Sequence, residues 1–75
     1  MGEYKMTQKQ MITNYILNFG SISPMEAFAD LGVTKLATRI SEMKRKGVVF
    51  EDEWEERTNR YGKTVRFKRY RFPKQ

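Results

Sequence analysis

The sequence contains neither cysteine nor histidine, and each absence excludes a class of site. Without cysteine, the chain has no disulfide and no thiolate metal site. Without histidine, it lacks the most frequent general base and the most frequent metal ligand. Catalysis by the remaining polar residues would need a pocket, and 75 residues leave little room for one. We therefore predict a protein that is not an enzyme, with no catalytic residue, metal, cofactor or small-molecule ligand.

Long apolar runs are also missing from the chain. No stretch approaches the roughly 20 apolar residues of a membrane-spanning helix. The first six residues lack the apolar run of a signal peptide. We therefore predict a single small domain that is cytoplasmic and does not associate with membranes.

Acidic residues are absent from the C-terminal part of the chain. Residues 57–75 hold eight Lys or Arg and no acid, whereas residues 1–56 hold seven Lys or Arg and nine Asp or Glu. The net charge of +6 is therefore concentrated in the last segment. Such an asymmetry is typical of proteins that bind nucleic acid.

Capping signals and periodicity predict two helices in the first part of the chain. Thr7 can cap a helix whose apolar residues recur at helical spacing, and Gly20 is placed to end it. Ser23 and Glu26 form a capping-box signature that predicts a short second helix ending near Leu31.

A third helix is predicted over residues 34–46. Leu36, Ile40 and Met43 share one face, Thr34 can cap the start, and Gly47 can end the helix. A tight turn containing a glycine separates the second and third helices, which is the arrangement of a helix-turn-helix.

The pattern after Gly47 predicts a β-hairpin whose turn lies at residues 59–63. A phase slip at Lys68 and Arg69 predicts a β-bulge in the second strand. The five carboxylates of residues 51–56 lie opposite residues 66–71 in such a hairpin, which predicts cross-strand ion pairs. An acidic face that binds another protein is the alternative interpretation.

This order of elements predicts an α+β fold, a winged helix-turn-helix with three helices and a C-terminal hairpin as the wing. Ile22, alone between two serines, is predicted to form a very short first strand. The predicted boundaries are a flexible arm at 1–6, the domain at 7–72 and a tail at 73–75. The predicted core consists of Ile12, Tyr15, Ile16, Phe19, Ile22, Phe28, Leu31, Leu36, Ile40, Met43, Val48, Phe50, Val65, Phe67 and Tyr70, and Trp54 is expected to pack there too.

The third helix and the wing tip carry the predicted DNA-binding residues. Small hydroxyl groups and cations lie opposite or beside the apolar stripe of the helix, where they suit contacts with bases and phosphates. A solvated amphipathic helix whose last cations complement the helix dipole is the alternative. The predicted contacts are Thr34, Lys35, Thr38, Arg39, Ser41 and Arg45 in the helix, and Arg57, Arg60, Tyr61 and Lys63 at the wing tip. Base contacts are expected to concentrate at Lys35, Thr38 and Arg39.

Several segments resemble a family of small helix-turn-helix domains common in phages and prophages. They are residues 20–27 (GSISPMEA), 31–33 (LGV), 36–44 (LATRISEMK) with Gly47, 58–63 (TNRYGK) and 70–72 (YRF). The resemblance covers roughly residues 10–72 and implies a winged helix fold that binds double-stranded DNA. It also implies a transcriptional regulator or an excisionase-like factor, acting at the nucleoid of a bacterial host.

Three questions stay open at the level of sequence. A small footprint leaves room for a homodimer or for tandem binding on DNA. Binding of single-stranded RNA through the aromatic hairpin is a further alternative. The third open alternative is that the protein is a phage inhibitor, which would bind a host protein through residues 51–56 and Trp54.

In regulators of the multiple-antibiotic-resistance type the third helix is slightly longer than the helix predicted here. This difference affects the angle at which the helix would enter a DNA groove.

Overall fold

Three helices are followed by one antiparallel hairpin in the computed structural model, which describes residues 6–74. The elements are α1 (Gln8–Phe19), α2 (Pro24–Leu31), α3 (Leu36–Arg45), β1 (Glu51–Thr58) and β2 (Thr64–Arg71). This order confirms the predicted fold class. The predicted arm lies outside the described residues except for Met6, and so does the last residue of the predicted tail. No helix within 6–74 is both long and apolar enough to cross a membrane.

Thr7 and Ser23 cap the first two helices, as predicted, and the capping box predicted for the second helix is found at the first helix too. The Thr7 hydroxyl accepts the Gln10 N–H at 3.1 Å, and the Gln10 side chain accepts the Thr7 N–H at 2.9 Å. Ser23 and Glu26 exchange the same two bonds at 3.3 and 3.0 Å. Because these bonds satisfy backbone donors that have no partner inside a helix, they define where each helix starts.

The start of α3 differs from the prediction. The helix begins at Leu36 with Lys35 as its N-cap and no side-chain cap, so the predicted cap at Thr34 is wrong. Val33 is only 1% exposed, and its N–H bonds to the Ala27 carbonyl at 3.0 Å. Burial of Val33 thus ties the connection to α2, and the chain reaches helical geometry only after Thr34.

The end of α3 is at the predicted glycine. Gly47 adopts a left-handed φ of 99°. Its N–H bonds to the Lys44 carbonyl, and the Val48 N–H bonds to the Met43 carbonyl, both at 3.0 Å. These two bonds form a Schellman motif, which satisfies carbonyls of the last helical turn.

The hairpin register is continuous. Each residue of β1 faces one residue of β2, from Glu51 opposite Arg71 to Thr58 opposite Thr64, so the predicted bulge at Lys68 and Arg69 is wrong. The phase slip in the sequence has a different cause. Arg69 is half-buried and held by ion pairs on one face of the sheet, and Tyr70 is buried in the helical core on the other.

The short strand predicted at Ile22 is confirmed. Ile22 forms an isolated bridge with Tyr70, with two backbone hydrogen bonds of 2.9 Å. Tyr70 is 7% exposed, and this burial raises the pKa of its phenol. The bridge attaches the base of the hairpin to the helices.

The core contains seven of the fifteen predicted residues as buried side chains, three more that pack against it partly buried, and two residues that were missing from the predicted set. Its buried members are Ile12, Ile16, Ile22, Ala27, Val33, Leu36, Ile40, Met43 and Tyr70. Ala27 and Val33 are the additions. The small side chain of Ala27 points inward and allows α2 to approach the other helices closely.

Three residues of the predicted core are exposed instead. Phe19 is 71%, Phe28 is 63% and Val65 is 44% exposed. Phe28 follows the inward-pointing Ala27 and is therefore rotated by about 100° toward the surface. Phe19 packs on Tyr15 at the surface, with 4.6 Å between ring centroids.

A side-chain hydrogen bond joins α1 to α2. The Tyr15 hydroxyl donates to Asp30 at 2.6 Å. This bond holds the proton on the phenol and raises the pKa of Tyr15 to about 12. The pair therefore stays intact throughout the neutral pH range.

Candidate nucleic-acid interface

The outward face of α3 is built of small polar side chains. Because Leu36, Ile40 and Met43 are buried, the opposite side of the helix is turned to solvent. The exposed residues there are Thr34, Thr38, Ser41 and Arg45, with Thr34 just before the first turn. This face is shallow enough for the helix backbone to approach a DNA groove closely.

Arg39 lies on the flank of α3 that faces α1. Its Nη1 donates to Glu42 at 3.0 Å, and the Lys9 ammonium of α1 forms an ion pair with the same carboxylate at 3.3 Å. The Arg39 Nε is buried and has no hydrogen-bond partner among residues 6–74. A contact between Arg39 and a base would require the guanidinium to leave Glu42.

The cations without an ion pair are not spread evenly. Within residues 6–74, the ion pairs engage the cations of the hairpin body together with Lys9, Arg39 and Lys44. In the same part of the chain, seven cations are unpaired; apart from Lys74 in the tail, they belong to α3, its flanks and the wing tip: Lys35, Arg45, Lys46, Arg57, Arg60 and Lys63. Unneutralised positive charge is therefore concentrated at two places.

The acidic strand is largely neutralised, which confirms the predicted cross-strand pairing. Glu56 pairs with Arg66 at 3.5 Å, and Glu53 pairs with Arg71. The hydrogen bond from Arg71 lowers the pKa of Glu53, and the same bond raises the pKa of Arg71. With its carboxylates paired, the strand presents less repulsion to a nearby polyanion than its composition suggests.

Asp52 connects the hairpin to α3. It lies 3.6 Å from the Lys68 ammonium across the hairpin and 3.8 Å from the Lys44 ammonium of α3. The face of the hairpin that carries Asp52 is therefore turned toward the end of α3, which brings the helix and the wing to a common side.

Arg69 holds the other face of the hairpin against the start of α2. Its Nε donates to Glu55 at 3.0 Å, and its Nη1 donates to Glu26 and to Ser21, both at 3.0 Å. The side chain is only 14% exposed. The hydrogen bond to Glu55 raises the pKa of Arg69, so the cation persists at every accessible pH. Sequence reasoning missed this role, although Arg69 alternates with Phe67 and therefore shares a face of β2 with that half-buried side chain.

The wing tip is an ordered turn. The Asn59 side-chain oxygen accepts the N–H groups of Tyr61 at 2.9 Å and of Lys63 at 3.0 Å. Gly62 supplies the left-handed φ of 80°. Tyr61 is 87% exposed, and Arg60 is exposed beside it. The turn therefore presents one aromatic ring and its cations outward on a fixed backbone.

Trp54 is exposed, and its predicted packing in the core is wrong. The side chain is 58% exposed because β1 extends beyond the helices. Arg66 and Lys68 lie 5.3 and 5.2 Å from the ring centroid. At these distances both cations interact with the π system of the indole.

Comparison with known proteins agrees with this geometry. Searches of curated proteins and of solved structures found no significant match. A family model described as "Winged helix-turn-helix domain" matches residues 7–75. Such a domain indicates DNA binding, and the match confirms the winged helix part of the resemblance, whereas the phage origin stays a prediction. Because the match spans nearly the whole chain and the helices and hairpin have the corresponding order, the protein belongs to the winged helix-turn-helix domain family.

Proposed function

We propose that this domain binds double-stranded DNA sequence-specifically, with α3 in the major groove and the wing tip on the flanking backbone. The observation that carries the proposal is the position of the cations that lack an ion pair. The cations of the hairpin body are paired with carboxylates, as are Arg39 and Lys44 of α3, whereas within residues 6–74 Lys35, Arg45, Lys46 and the cations of the wing tip have no ion pair. Unpaired Lys and Arg are the residues that bind phosphates with release of counterions.

The dimensions of the two elements suit this arrangement. An α-helix with its side chains is roughly 10–12 Å in diameter, which a major groove about 12 Å wide admits, and the ten residues of α3 give it a length of roughly 15 Å along the groove. The eight-residue strands extend the wing by roughly 26 Å, far enough to reach the backbone beside the groove. Lys35 and Thr38 are the candidates for base contacts at the start of α3, and Arg39 joins them if it releases Glu42. Arg45 is assigned to a phosphate.

We infer a role as a phage or prophage transcriptional regulator or excisionase-like factor, acting in the cytoplasm at the nucleoid. The support is the resemblance of residues 20–47 and of the wing. One domain covers little DNA, so we expect a homodimer or tandem copies on the target. A footprint on the promoter of the protein's own gene would support regulation, whereas protection confined to a recombination site would support the excisionase-like role.

Binding to duplex DNA is expected to weaken steeply with salt. If about five of the unpaired cations contact phosphates, log K should fall against log salt with a slope of about −4 to −5. Titration of a labelled duplex at several salt concentrations measures this slope. Absence of binding at low salt, or binding that salt does not affect, would contradict the proposal. A preference for single strands would favour the RNA alternative.

Replacing Arg60 by glutamine is expected to make the salt slope shallower by about one. Arg60 has no ion pair within residues 6–74, so its charge is available to a phosphate. Arg66→Gln is the matched control because Arg66 already pairs with Glu56 at 3.5 Å. Both variants lower the net charge by one, so a difference between their slopes reports direct contact. Equal salt slopes for the two variants would show that Arg60 does not contact a DNA phosphate.

A protein-interaction module is the second candidate. The exposure of Trp54 favours it. Its support is weaker, because four of the five carboxylates of residues 51–56 are in ion pairs within the same chain. The salt titration separates the two candidates, since a module that binds only protein has no affinity for duplex DNA.

A further inference from the structure

A cationic groove of about 400 Å³ lies between the start of α1 and the flank of α3. Its lining consists of Thr7, Gln8, Lys9, Arg39 and Lys46. Three of these five residues are cations, and none is an acid. The groove is concave and positive, and it lies apart from the outward face of α3.

The acid nearest to the groove leaves an excess of positive charge. Glu42 pairs with both Lys9 and Arg39, so one carboxylate is shared by two cations. Lys46 has no ion pair within residues 6–74. Three cations and one carboxylate give this cluster a net charge of +2.

Several donors at the groove have no acceptor in the described part of the chain. The capping box satisfies the N–H groups of Thr7 and Gln10, but the N–H groups of Gln8 and Lys9 have no partner among residues 6–74. No acidic side chain lies in the first turn of α1. The buried Nε of Arg39 also lacks an acceptor, and a small shift of the guanidinium toward a bound anion would remove this deficit.

We infer that this groove binds a phosphate group, and that in the DNA complex this group is a backbone phosphodiester beside the groove that α3 enters. The assignment of this phosphate to DNA rests on the proposed function. Ammonium, guanidinium and backbone N–H groups together suit a ligand with several anionic oxygens. Arg39 and Lys35 lie on the same flank of α3, so a strand that borders the helix would pass the groove. Arg39 is thereby assigned to the backbone rather than to a base.

The test is NMR titration of the isotope-labelled full chain with inorganic phosphate and, separately, with a short duplex. Phosphate is expected to shift the backbone amide resonances of Gln8 and Lys9. In Lys9→Gln the apparent affinity for phosphate should be roughly fivefold weaker, as for the loss of one charge-assisted hydrogen bond. Lys44→Gln is the matched control. Lys44 shares Asp52 with Lys68 just as Lys9 shares Glu42 with Arg39, and it does not line the groove.

Each outcome separates this inference from the proposed function. Shifts of Gln8 and Lys9 by both phosphate and duplex, reduced in Lys9→Gln but not in Lys44→Gln, support the inference. Shifts by phosphate alone, with duplex acting only on α3 and the wing, overturn the assignment to the DNA backbone and indicate a free phosphate or nucleotide. Duplex binding without any shift at Gln8 and Lys9 overturns the inference and leaves the proposed function intact. Phosphate shifts without duplex binding overturn the proposed function and leave the phosphate site.

Discussion

Replacing Ile40 by alanine is expected to lower the free energy of unfolding by about 3 kcal/mol. Ile40 is 2% exposed and belongs to the cluster that joins α3 to α1 and the base of the hairpin. The substitution removes buried carbon atoms and leaves a cavity that such a small core cannot refill. A domain of this size has a total stability of about 5 kcal/mol, so much of the protein would unfold on mild heating.

Denaturant unfolding followed by circular dichroism measures this effect. Phe28→Ala is the control, since it removes a larger side chain that is 63% exposed. The control is expected to change stability by less than about 0.5 kcal/mol. If Phe28→Ala proves the more damaging of the two, α2 must pack through Phe28, and the burial described for this helix is incorrect. The Ile40 variant should also bind DNA more weakly in proportion to its unfolded fraction.

Replacing Arg69 by methionine is expected to cost about 2 kcal/mol and to weaken DNA binding by the folded protein. Removing one partner from a fully buried ion pair costs about 3–5 kcal/mol. The cost is smaller here because the side chains of Glu26 and Glu55 are 36% and 32% exposed to solvent. The variant leaves both carboxylates without this cation, so their repulsion separates the hairpin from α2. If the wing is no longer fixed relative to α3, the two elements cannot contact the same DNA site at the same time as readily.

Arg71→Met is the matched control in the same strand. Arg71 pairs only with Glu53 within residues 6–74, and that pair is more exposed to solvent, so its loss is expected to lower stability much less than the loss of Arg69. Thermal unfolding gives the stability of both variants, and duplex titration below the transition gives the affinity of the folded fraction. Equal stability losses for the two variants would show that Arg69 does not fix the hairpin to the helices.

Local hydrogen bonding explains why the helix limits were predictable. The capping boxes at Thr7 and Ser23 close within three residues, and the Schellman motif at Gly47 closes within five. Such bonds are the same in any tertiary context, so the sequence alone predicts them. Thr34 shows the limit of this reasoning. Its side chain could cap a helix, but burial of the neighbouring Val33 placed the start of α3 beyond it.

The candidate interface was predictable in composition and less so in geometry. The wing-tip turn and its cations follow from residues 57–63 alone, and the pairing of the acidic strand follows once that turn sets the register. The restraint on Arg39 was not predictable in the same way. Glu42 lies three residues away on the same helix, but Lys9 reaches it from α1, 33 positions earlier in the sequence.

By itself, the sequence determined the order of elements, the winged helix-turn-helix fold and the placement of positive charge, because these depend on local periodicity and composition. Only the tertiary structure decided which faces are buried. Ala27 rather than Phe28 points inward because helix packing selects one rotation of α2. Arg69 is half-buried because Glu26 and Glu55, which belong to two other elements, pair with it. Contacts between residues far apart in the chain carry no local signal, and they set the angle between α3 and the wing.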